Sequence, residues 1–195
     1  MKTQKKSLQN LSATFPYTKV FFPKKNESIL LKDLWEKNNA PFMLIHWLRR
    51  FGCPVCRLGA KNLSEMVEKF KKDNPNVLNY AGIGLSKLDY EDFEKGNFFK
   101  GDIYIDENKE SFKLLRYNRL GMNSMFGLLN FNMYKMIGDA RNHGIKGNLK
   151  GDRTQLGGTI ICDKKGDVLF SHIQSSYSDY PKDVQMFESV KSYRF

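Results

Sequence analysis

A run of mostly apolar residues, Phe42–Leu48, follows Pro41 and precedes two arginines, Gly52 and a Cys-x-x-Cys. Seven such residues after a proline predict a buried central strand. From Cys56 onwards, apolar residues recur at spacings of 4, 3, 4 and 3, with charged residues between them. This period predicts an amphipathic helix that begins at the Cys-x-x-Cys and ends near Asn74. Its apolar stripe consists of Cys56, Ala60, Leu63, Val67 and Phe70.

Shorter patterns of the same two kinds alternate through the rest of the chain. They predict strands at 77–83 and 102–106, helices at 90–95 and 109–117, a hairpin of strands at 159–162 and 168–172, and a C-terminal helix opened by Pro181. Strands that alternate with helices form parallel βαβ units, and the hairpin adds antiparallel strands. The sequence therefore predicts an α/β protein with a thioredoxin-like fold, a central mixed β-sheet flanked by helices.

Two segments depart from this alternation. Residues 1–25 contain six lysines and no acidic residue, and we predict that they form a basic N-terminal arm before a domain at 26–195. Residues 118–150 are predicted to be a methionine-rich helical insertion. Because methionine suits irregular ligands and is also an ordinary core filler, the insertion either lines a pocket for a lipid peroxide or covers the sheet; we favour the cover. Its methionines are Met122, Met125, Met133 and Met136.

The net charge of +11 says little about partners, because basic residues beyond the arm are interleaved with acidic ones. This arrangement is typical of a solvated, lysine-rich surface. A nucleic-acid-binding protein needs a focused basic stripe or a recognised motif, and we find neither, so no nucleic-acid partner is expected. No apolar run approaches the roughly 18 residues of a membrane span, so no transmembrane segment is expected. A weak attraction of the N-terminal lysines to anionic lipid stays open.

The cysteine count bears on the compartment. Three cysteines are too few for a secreted disulfide framework, and the polar N-terminus lacks the apolar segment of a secretory signal. We therefore expect a cytoplasmic, reducing location, in which a Cys-x-x-Cys is typical of redox chemistry.

The Cys-x-x-Cys combines three features of a redox-active dithiol. Pro54 stands where a first helical residue is expected, which makes Cys53 the N-cap and places its sulfur at the positive end of the helix dipole. Arg50 and Arg57 flank the motif and are expected to favour a thiolate further. Cys56 falls on the apolar stripe, so we predict that Cys53 is the exposed attacking thiolate and Cys56 the shielded resolving thiol.

Zinc and ordinary core cysteines are the alternatives. Zinc usually has four ligands, whereas Cys162 is isolated and the three histidines, His46, His143 and His172, are far apart in sequence. We therefore expect no metal site. Cys162 lies in a strand pattern and is predicted to be a small core residue. His46 and His172 are predicted to be hydrogen-bonded structural histidines.

Several blocks of the sequence resemble one family, the peroxiredoxin-like proteins that include prostamide/prostaglandin F synthase and selenoprotein U-related redox regulators. The matching blocks are Arg49-Arg50-Phe51-Gly52-Cys53-Pro54-Val55-Cys56-Arg57, Gly101-Asp102-Ile103-Tyr104-Ile105-Asp106-Glu107 with Tyr117-Asn118, Gly144-Ile145-Lys146-Gly147-Asn148-Leu149-Lys150-Gly151-Asp152, Gln155-Leu156-Gly157-Gly158 and Ser178-Asp179-Tyr180. They occur in the same order and cover about residues 30–190.

The resemblance implies a thioredoxin-like fold of the alkyl hydroperoxide reductase/thiol-specific antioxidant type and reduction of a peroxide or endoperoxide O–O bond. The family's reactive position carries over to Cys53, and its second cysteine to Cys56. The implied reductant is thioredoxin, recharged by NADPH. The chain itself is expected to bind no cofactor, since Gly82-Ile83-Gly84 lacks the third glycine of a nucleotide-binding pattern.

The chain also departs from general thioredoxin and peroxiredoxin patterns. Gly158 stands where thioredoxins have a cis-proline facing the dithiol, and Arg50-Phe51-Gly52-Cys53 lacks the threonine of the usual peroxiredoxin loop. The groups that polarise a peroxide therefore differ from the usual ones. Two other functions stay open from the sequence: a general thioredoxin-like protein disulfide oxidoreductase, and a non-enzymatic redox sensor.

Overall fold

The computed structural model describes residues 14–117, 119 and 131–193, which form one seven-stranded mixed sheet with helices on both faces. The order of strands across the sheet is β2-β1-β5-β4-β3-β6-β7. The strands are β1 (Lys19–Phe22), β2 (Glu27–Leu30), β3 (Phe42–Leu48), β4 (Leu78–Gly84), β5 (Asp102–Ile105), β6 (Gly158–Asp163) and β7 (Val168–Ile173). The helices are α1 (Asp33–Glu36), α2 (Pro54–Asp73), α3 (Tyr90–Lys95), α4 (Glu110–Leu114), α5 (Phe131–Asn142) and α6 (Asp183–Lys191).

The pairing of the central strands confirms the predicted mixed sheet. Strands β3, β4 and β5 run parallel, and the connection from β3 to β4 contains α2. Strand β6 is antiparallel to β3, with Gly158 opposite Trp47, and continues into the β6–β7 hairpin. The carboxyl end of β3 therefore lies in the middle of the sheet, and the chain that leaves it leads directly to Cys53.

The core has two layers because side chains alternate across the sheet. On one face Trp47 packs with Phe15 and Trp35. On the other face Leu44 and Leu48 pack in a cluster that also contains four members of the α2 stripe, and the whole predicted stripe is buried. The apolar period of α2 thus fixes the helix against β3 and holds its N-terminus at the carboxyl end of that strand.

The prediction of an arm at residues 1–25 is wrong for its second half. Strand β1 pairs with β2 and β5, so residues 19–22 belong to the sheet. Phe15, Val20 and Phe22 are buried, whereas Lys19 is exposed at the start of the strand. A four-residue strand carries too few positions for its alternation to be recognised among lysines. Residues 1–13 lie outside the described residues.

The insertion is only partly described. Helix α5 packs against α2, where Ala140 and Ile145 meet Leu58, and Met136 packs on that cluster. It therefore covers the dithiol helix rather than the sheet itself. Met122 and Met125 lie outside the described residues, as does the side chain of Met133. The C-terminal helix begins at Asp183, two residues later than predicted, with Lys182 in the extended N-cap position. No helix among the described residues has the length and apolar character to cross a bilayer.

Candidate active site

The dithiol lies at the N-terminus of α2, where the sequence predicts it. Cys53 is the N-cap residue, with extended backbone angles, and Pro54 is the first helical residue. Both cysteines are free thiols. Cys53 is partly exposed, whereas Cys56 is buried at 1% exposure. The asymmetry expected from the apolar stripe is thus present: one sulfur is accessible and the other is covered.

Arg49 is the charged group that contacts the two sulfurs, and it was not among the site residues predicted from the sequence. Its Nη2 lies 3.1 Å from the Sγ of Cys56 and 3.6 Å from the Sγ of Cys53. Burial opposes a charged guanidinium here, but the sulfurs and the Tyr180 hydroxyl raise the pKa of Arg49 above its ordinary value, so it stays protonated. A single buried cation therefore lies against both thiols.

The two thiols have opposite acidities. A hydrogen bond from Cys56 lowers the pKa of Cys53 to about 5 and outweighs the opposing effect of burial; Arg49, the backbone amide of Cys56 and Arg50 contribute in the same direction. Burial and the same hydrogen bond raise the pKa of Cys56 well above its ordinary value. At neutral pH, Cys53 is consequently a thiolate and Cys56 carries its proton.

The two arginines predicted to support the thiolate have different positions. Arg50 contributes weakly to the acidity of Cys53, and its Nη2 donates a hydrogen bond to the Asn148 carbonyl at 2.8 Å. Arg57 is turned away from the sulfurs. It donates to the carbonyl of Phe51 at 2.6 Å and to that of Lys146 at 2.8 Å, which ties the loop before the dithiol to the segment after α5. Arg57 is therefore a structural residue, contrary to its predicted role.

Gly158 lies opposite Trp47 of β3 in a closely packed position. It lies within β6, where a Cβ would meet the His172 carbonyl and the Tyr117 ring, and among the described contacts none joins it to either sulfur. A glycine is needed here because β7 and Tyr117 approach the backbone closely. Gly158 therefore has a packing role, and its supporting role at the dithiol stays a prediction.

The remaining candidates take the structural positions predicted for them. Cys162 is fully buried in β6, near the Met43 carbonyl. The Nδ1 of His46 lies 2.9 Å from the Thr159 hydroxyl, and the Nε2 of His172 lies 3.0 Å from an Asp179 carboxylate oxygen. Within the described part of the chain, no three His, Cys, Asp or Glu side chains come together as metal ligands would.

Two tyrosines from the segment after β7 complete the site. The Tyr177 ring covers Arg49, with 4.1 Å between the ring centroid and the guanidinium carbon, and its hydroxyl donates to the Arg153 carbonyl. Tyr180 packs against Gly59 of α2 and donates to the Val55 carbonyl at 3.5 Å. Burial of its hydroxyl raises the pKa of Tyr180, so this group stays neutral. Ser178-Asp179-Tyr180 was recognised in the sequence only as part of the family resemblance.

A nucleophilic thiolate at a helix N-terminus, with a protonated thiol and a cation beside it, defines a thiol-dependent oxidoreductase. The fold is shared with solved peroxiredoxin structures. The structure superimposes on the alkyl-peroxide-reducing bacterioferritin comigratory protein of Xanthomonas campestris with a TM-score of 0.63 and 11% identity, over 96% of this chain and 99% of that one. It also superimposes on the peroxidoxin BcpB of Mycobacterium tuberculosis with a TM-score of 0.56 and 12% identity, over 91% and 93% of the two chains. These likenesses confirm the thioredoxin-like, peroxiredoxin fold.

Sequence comparison identifies the family. The family model described as AhpC/TSA antioxidant enzyme matches residues 62–176. Prostamide/prostaglandin F synthase of Xenopus tropicalis is 35% identical over 156 residues, 79% of this chain and 75% of the relative. The human protein of the same name is 34% identical over 160 residues, 80% of this chain and 78% of the relative. The chain belongs to the peroxiredoxin-like AhpC/TSA family and is an oxidoreductase enzyme of thiol peroxidase type.

Proposed function

We propose that this enzyme reduces the O–O bond of a peroxide or endoperoxide with the Cys53–Cys56 dithiol, in the manner of a prostamide/prostaglandin F synthase. The observation that carries the proposal is the pairing of a partly exposed, acidic Cys53 with a buried, protonated Cys56 against one arginine. An endoperoxide as the substrate class is implied by the resemblance to prostamide/prostaglandin F synthases, the name that the similar relatives carry.

In the first step the Cys53 thiolate attacks one oxygen of the O–O bond. An S–O bond forms, the O–O bond breaks, and the second oxygen leaves as an alkoxide that takes a proton from water. The reaction needs a sulfur that is both ionised and accessible, and Cys53 meets both conditions. The positive N-terminus of α2 and the Arg49 guanidinium lie where negative charge is transferred.

In the second step Cys56 gives up its proton and its sulfur attacks the sulfur of Cys53. The S–O bond breaks, an S–S bond forms, and the remaining oxygen leaves as an alcohol, or as water from a hydroperoxide. The dithiol loses two electrons and the O–O bond gains two. Arg49, 3.1 Å from the Cys56 sulfur, stabilises the thiolate that this attack requires.

The disulfide must then be reduced by an external dithiol. We propose that thioredoxin supplies the two electrons and that thioredoxin is recharged by NADPH outside this chain. The attack of a thioredoxin thiolate on the disulfide regenerates both thiols without a bound cofactor.

A coupled assay with thioredoxin, thioredoxin reductase and NADPH tests this cycle. Wild type should oxidise NADPH in the presence of a lipid endoperoxide or a hydroperoxide, and Cys53→Ser should abolish this turnover. With a hydroperoxide, Cys56→Ser should release one equivalent of alcohol per chain and then stop, whereas with an endoperoxide the opened substrate should stay bonded to Cys53. Cys162→Ser is the matched control because that thiol is buried away from the pair, and it should keep its turnover. Turnover that survives Cys53→Ser would contradict the mechanism.

The Cys-x-x-Cys spacing also favours a second function, the reduction of protein disulfides. Insulin reduction in the same assay separates the two functions, because it needs the dithiol and no peroxide. A kcat/KM for insulin that exceeds those for endoperoxide and hydroperoxide would favour the second function.

A further inference from the structure

A small cavity of about 170 Å³ lies beside the dithiol loop. Three segments enclose it: Arg50–Gly52 before the dithiol, residues 85–89 after β4, and residues 150–152 after α5, with Lys109 at its side. The volume corresponds to roughly six water molecules at about 30 Å³ each. It therefore accepts a small polar group rather than a whole lipid.

Arg50 lines this cavity, and one of the N–H groups of its guanidinium has no hydrogen-bond partner among the described residues. Its side chain belongs to a residue that is 9% exposed, and one of its terminal nitrogens donates to the Asn148 carbonyl. Its Nε is buried and has no hydrogen-bond partner among the described residues. A buried N–H of a guanidinium is favourable only when an acceptor completes it. The acceptor that fits a guanidinium best is a carboxylate or a similar oxyanion.

The other charges around the cavity favour an anion as well. Lys109 is paired with Asp152 at 3.2 Å, so these two largely cancel. Lys150 is exposed, and none of the described acidic groups forms an ion pair with its ammonium group. Asp89 is the remaining acid, and its carboxylate lies next to Gly52. Three cationic side chains thus line the cavity with two acidic ones, which leaves a net charge of +1, and no ion pair joins Arg50 or Lys150 to a described acidic group.

The lining of the same cavity also includes an exposed apolar side chain. Leu88 lines the cavity and is 44% exposed, and Leu149, which immediately precedes Lys150, is 72% exposed. An exposed leucine in the lining of a cationic cavity, with a second one next to Lys150 in the chain, provides a surface for a hydrocarbon chain attached to an anionic group. A ligand that uses both features carries a carboxylate and an apolar chain.

We propose that this cavity binds the carboxylate of an amphiphilic, acidic peroxide substrate, with Arg50 and Lys150 as its cationic partners and Leu88 and Leu149 under the chain. The proposal rests on the proposed O–O reduction and adds a substrate class to it. The cavity is lined by Gly52, the residue before Cys53, so a substrate held there is anchored next to the attacking sulfur. The enzyme should accordingly distinguish a fatty-acid hydroperoxide from its neutral methyl ester.

Steady-state kinetics with these two substrates test the proposal. Wild type should show a KM for the acid about tenfold below that for the ester, a ratio typical of one charge-assisted contact. Lys150→Ala should remove most of this preference by raising the KM of the acid alone. Arg50→Gln should also remove it, and since Arg50 contributes weakly to the acidity of Cys53, its effect is measured as the ratio of the two KM values. Asp89→Asn should strengthen the preference, because it removes the opposing charge; asparagine also tolerates the left-handed backbone of this position.

Lys164→Ala is the matched control. It removes the same charge from the β6–β7 turn, at the end of the sheet away from the dithiol, and should leave the ratio of the two KM values unchanged. Cumene hydroperoxide, which has no carboxylate, reports the O–O chemistry separately. Loss of its turnover in wild type would defeat the proposed function, whereas normal turnover with equal KM values for acid and ester would overturn the subsite alone.

A binding measurement gives a readout that needs no catalysis. Decanoate and decanol can be titrated into the Cys53→Ser protein and followed by amide NMR shifts. Decanoate should shift the amides of residues 50–52, 88–89 and 149–151 and bind at least about fivefold more tightly than decanol, and Lys150→Ala should remove the difference. Equal affinities for the two molecules, or shifts elsewhere only, would overturn the proposal.

Discussion

The guanidinium Nη2 of Arg49 lies 3.1 Å from the sulfur of Cys56, the buried member of the dithiol. The same nitrogen is 3.6 Å from the sulfur of Cys53. In the proposed cycle negative charge resides first on Cys53 and later on Cys56, so one fixed cation serves both steps without moving. Arg49 is therefore a positioning and charge-stabilising residue for the pair.

Replacement of Arg49 by methionine should raise the pKa of Cys53 from about 5 toward its ordinary range, because the Coulombic attraction is lost. Since the thiolate is the nucleophile, alkylation of Cys53 by iodoacetamide at pH 6 should slow roughly tenfold. Thiolate absorbance followed against pH measures the pKa directly. Arg49→Lys keeps the charge and should restore much of the acidity. Arg141→Met removes an exposed charge from α5 and should change neither quantity; an unchanged titration curve in Arg49→Met would refute the role of this arginine.

Tyr177 should matter through its ring rather than its hydroxyl. The ring covers Arg49 at 4.1 Å, and a cation–π contact of this kind contributes about 0.5–2 kcal/mol, depending on how far the cation is desolvated. Tyr177→Phe keeps the ring and loses the bond to Arg153, so kcat/KM should stay within about twofold of wild type. Tyr177→Ala uncovers the guanidinium and should lower kcat/KM several-fold while raising the pKa of Cys53. Equal effects of the two variants would show that the hydroxyl, and not the ring, is what matters.

Two glycines within helices should respond to alanine with opposite signs. A Cβ at Gly59 would overlap the Tyr180 ring, so Gly59→Ala should lower the free energy of unfolding by about 1–3 kcal/mol and disturb the packing of Tyr180 on α2. No described atom lies within 4 Å of a Cβ at Gly138, so Gly138→Ala should raise the free energy of unfolding by about 0.5–1 kcal/mol through helix propensity. Urea unfolding of both variants measures these changes. A stabilised Gly59→Ala protein would contradict the close contact between α2 and Tyr180.

His46 should make the fold sensitive to acid. Burial, assisted by the charge of His172, lowers the pKa of His46 to about 3, whereas its ordinary value is 6.5. Below pH 6.5 the unfolded chain binds a proton at this residue that the folded chain does not. The contribution of His46 to the free energy of unfolding should therefore be fully present above pH 6.5. It should fall as the pH drops toward 3, by up to about 1.4 kcal/mol per pH unit.

Urea unfolding between pH 7 and 4 measures the effect of His46. His46→Gln keeps a hydrogen-bonding side chain opposite Thr159 but cannot titrate, so its stability should depend less on pH. His143→Gln changes an exposed histidine and should reproduce the wild-type dependence. If His46→Gln and wild type lose stability in parallel, another group is responsible.

Local patterns predicted the parts of the site that local interactions determine. The strand Phe42–Leu48, the N-cap position of Cys53 and the buried stripe of α2 follow from apolar spacing and from Pro54, and all three are present. The sequence patterns did not indicate which of the neighbouring arginines contacts the sulfurs, because side-chain direction in the loop after a strand depends on what packs against the loop. Arg49 faces the sulfurs, while Arg57 is held by carbonyls before and after it.

The non-local parts of the site were the least predictable. Tyr177 and Tyr180 reach the dithiol across more than 120 residues of sequence, and no period or spacing connects them to it. Gly158 was assigned by analogy to a cis-proline, but its position is determined by the close approach of Tyr117 and the His172 carbonyl. Likewise, β1 owes its place to pairing with β5, which only the folded sheet brings near.

The covering of Cys56 determines how oxidant and reductant share the enzyme. At 1% exposure its sulfur is closed to any incoming molecule, so a reductant protein can attack the disulfide only at Cys53, which is the atom that also meets the peroxide. Substrate and reductant must therefore react at Cys53 one after the other. Double-displacement kinetics follow, with parallel lines in reciprocal plots, and an excess of either partner should slow the other by occupying their common point of entry.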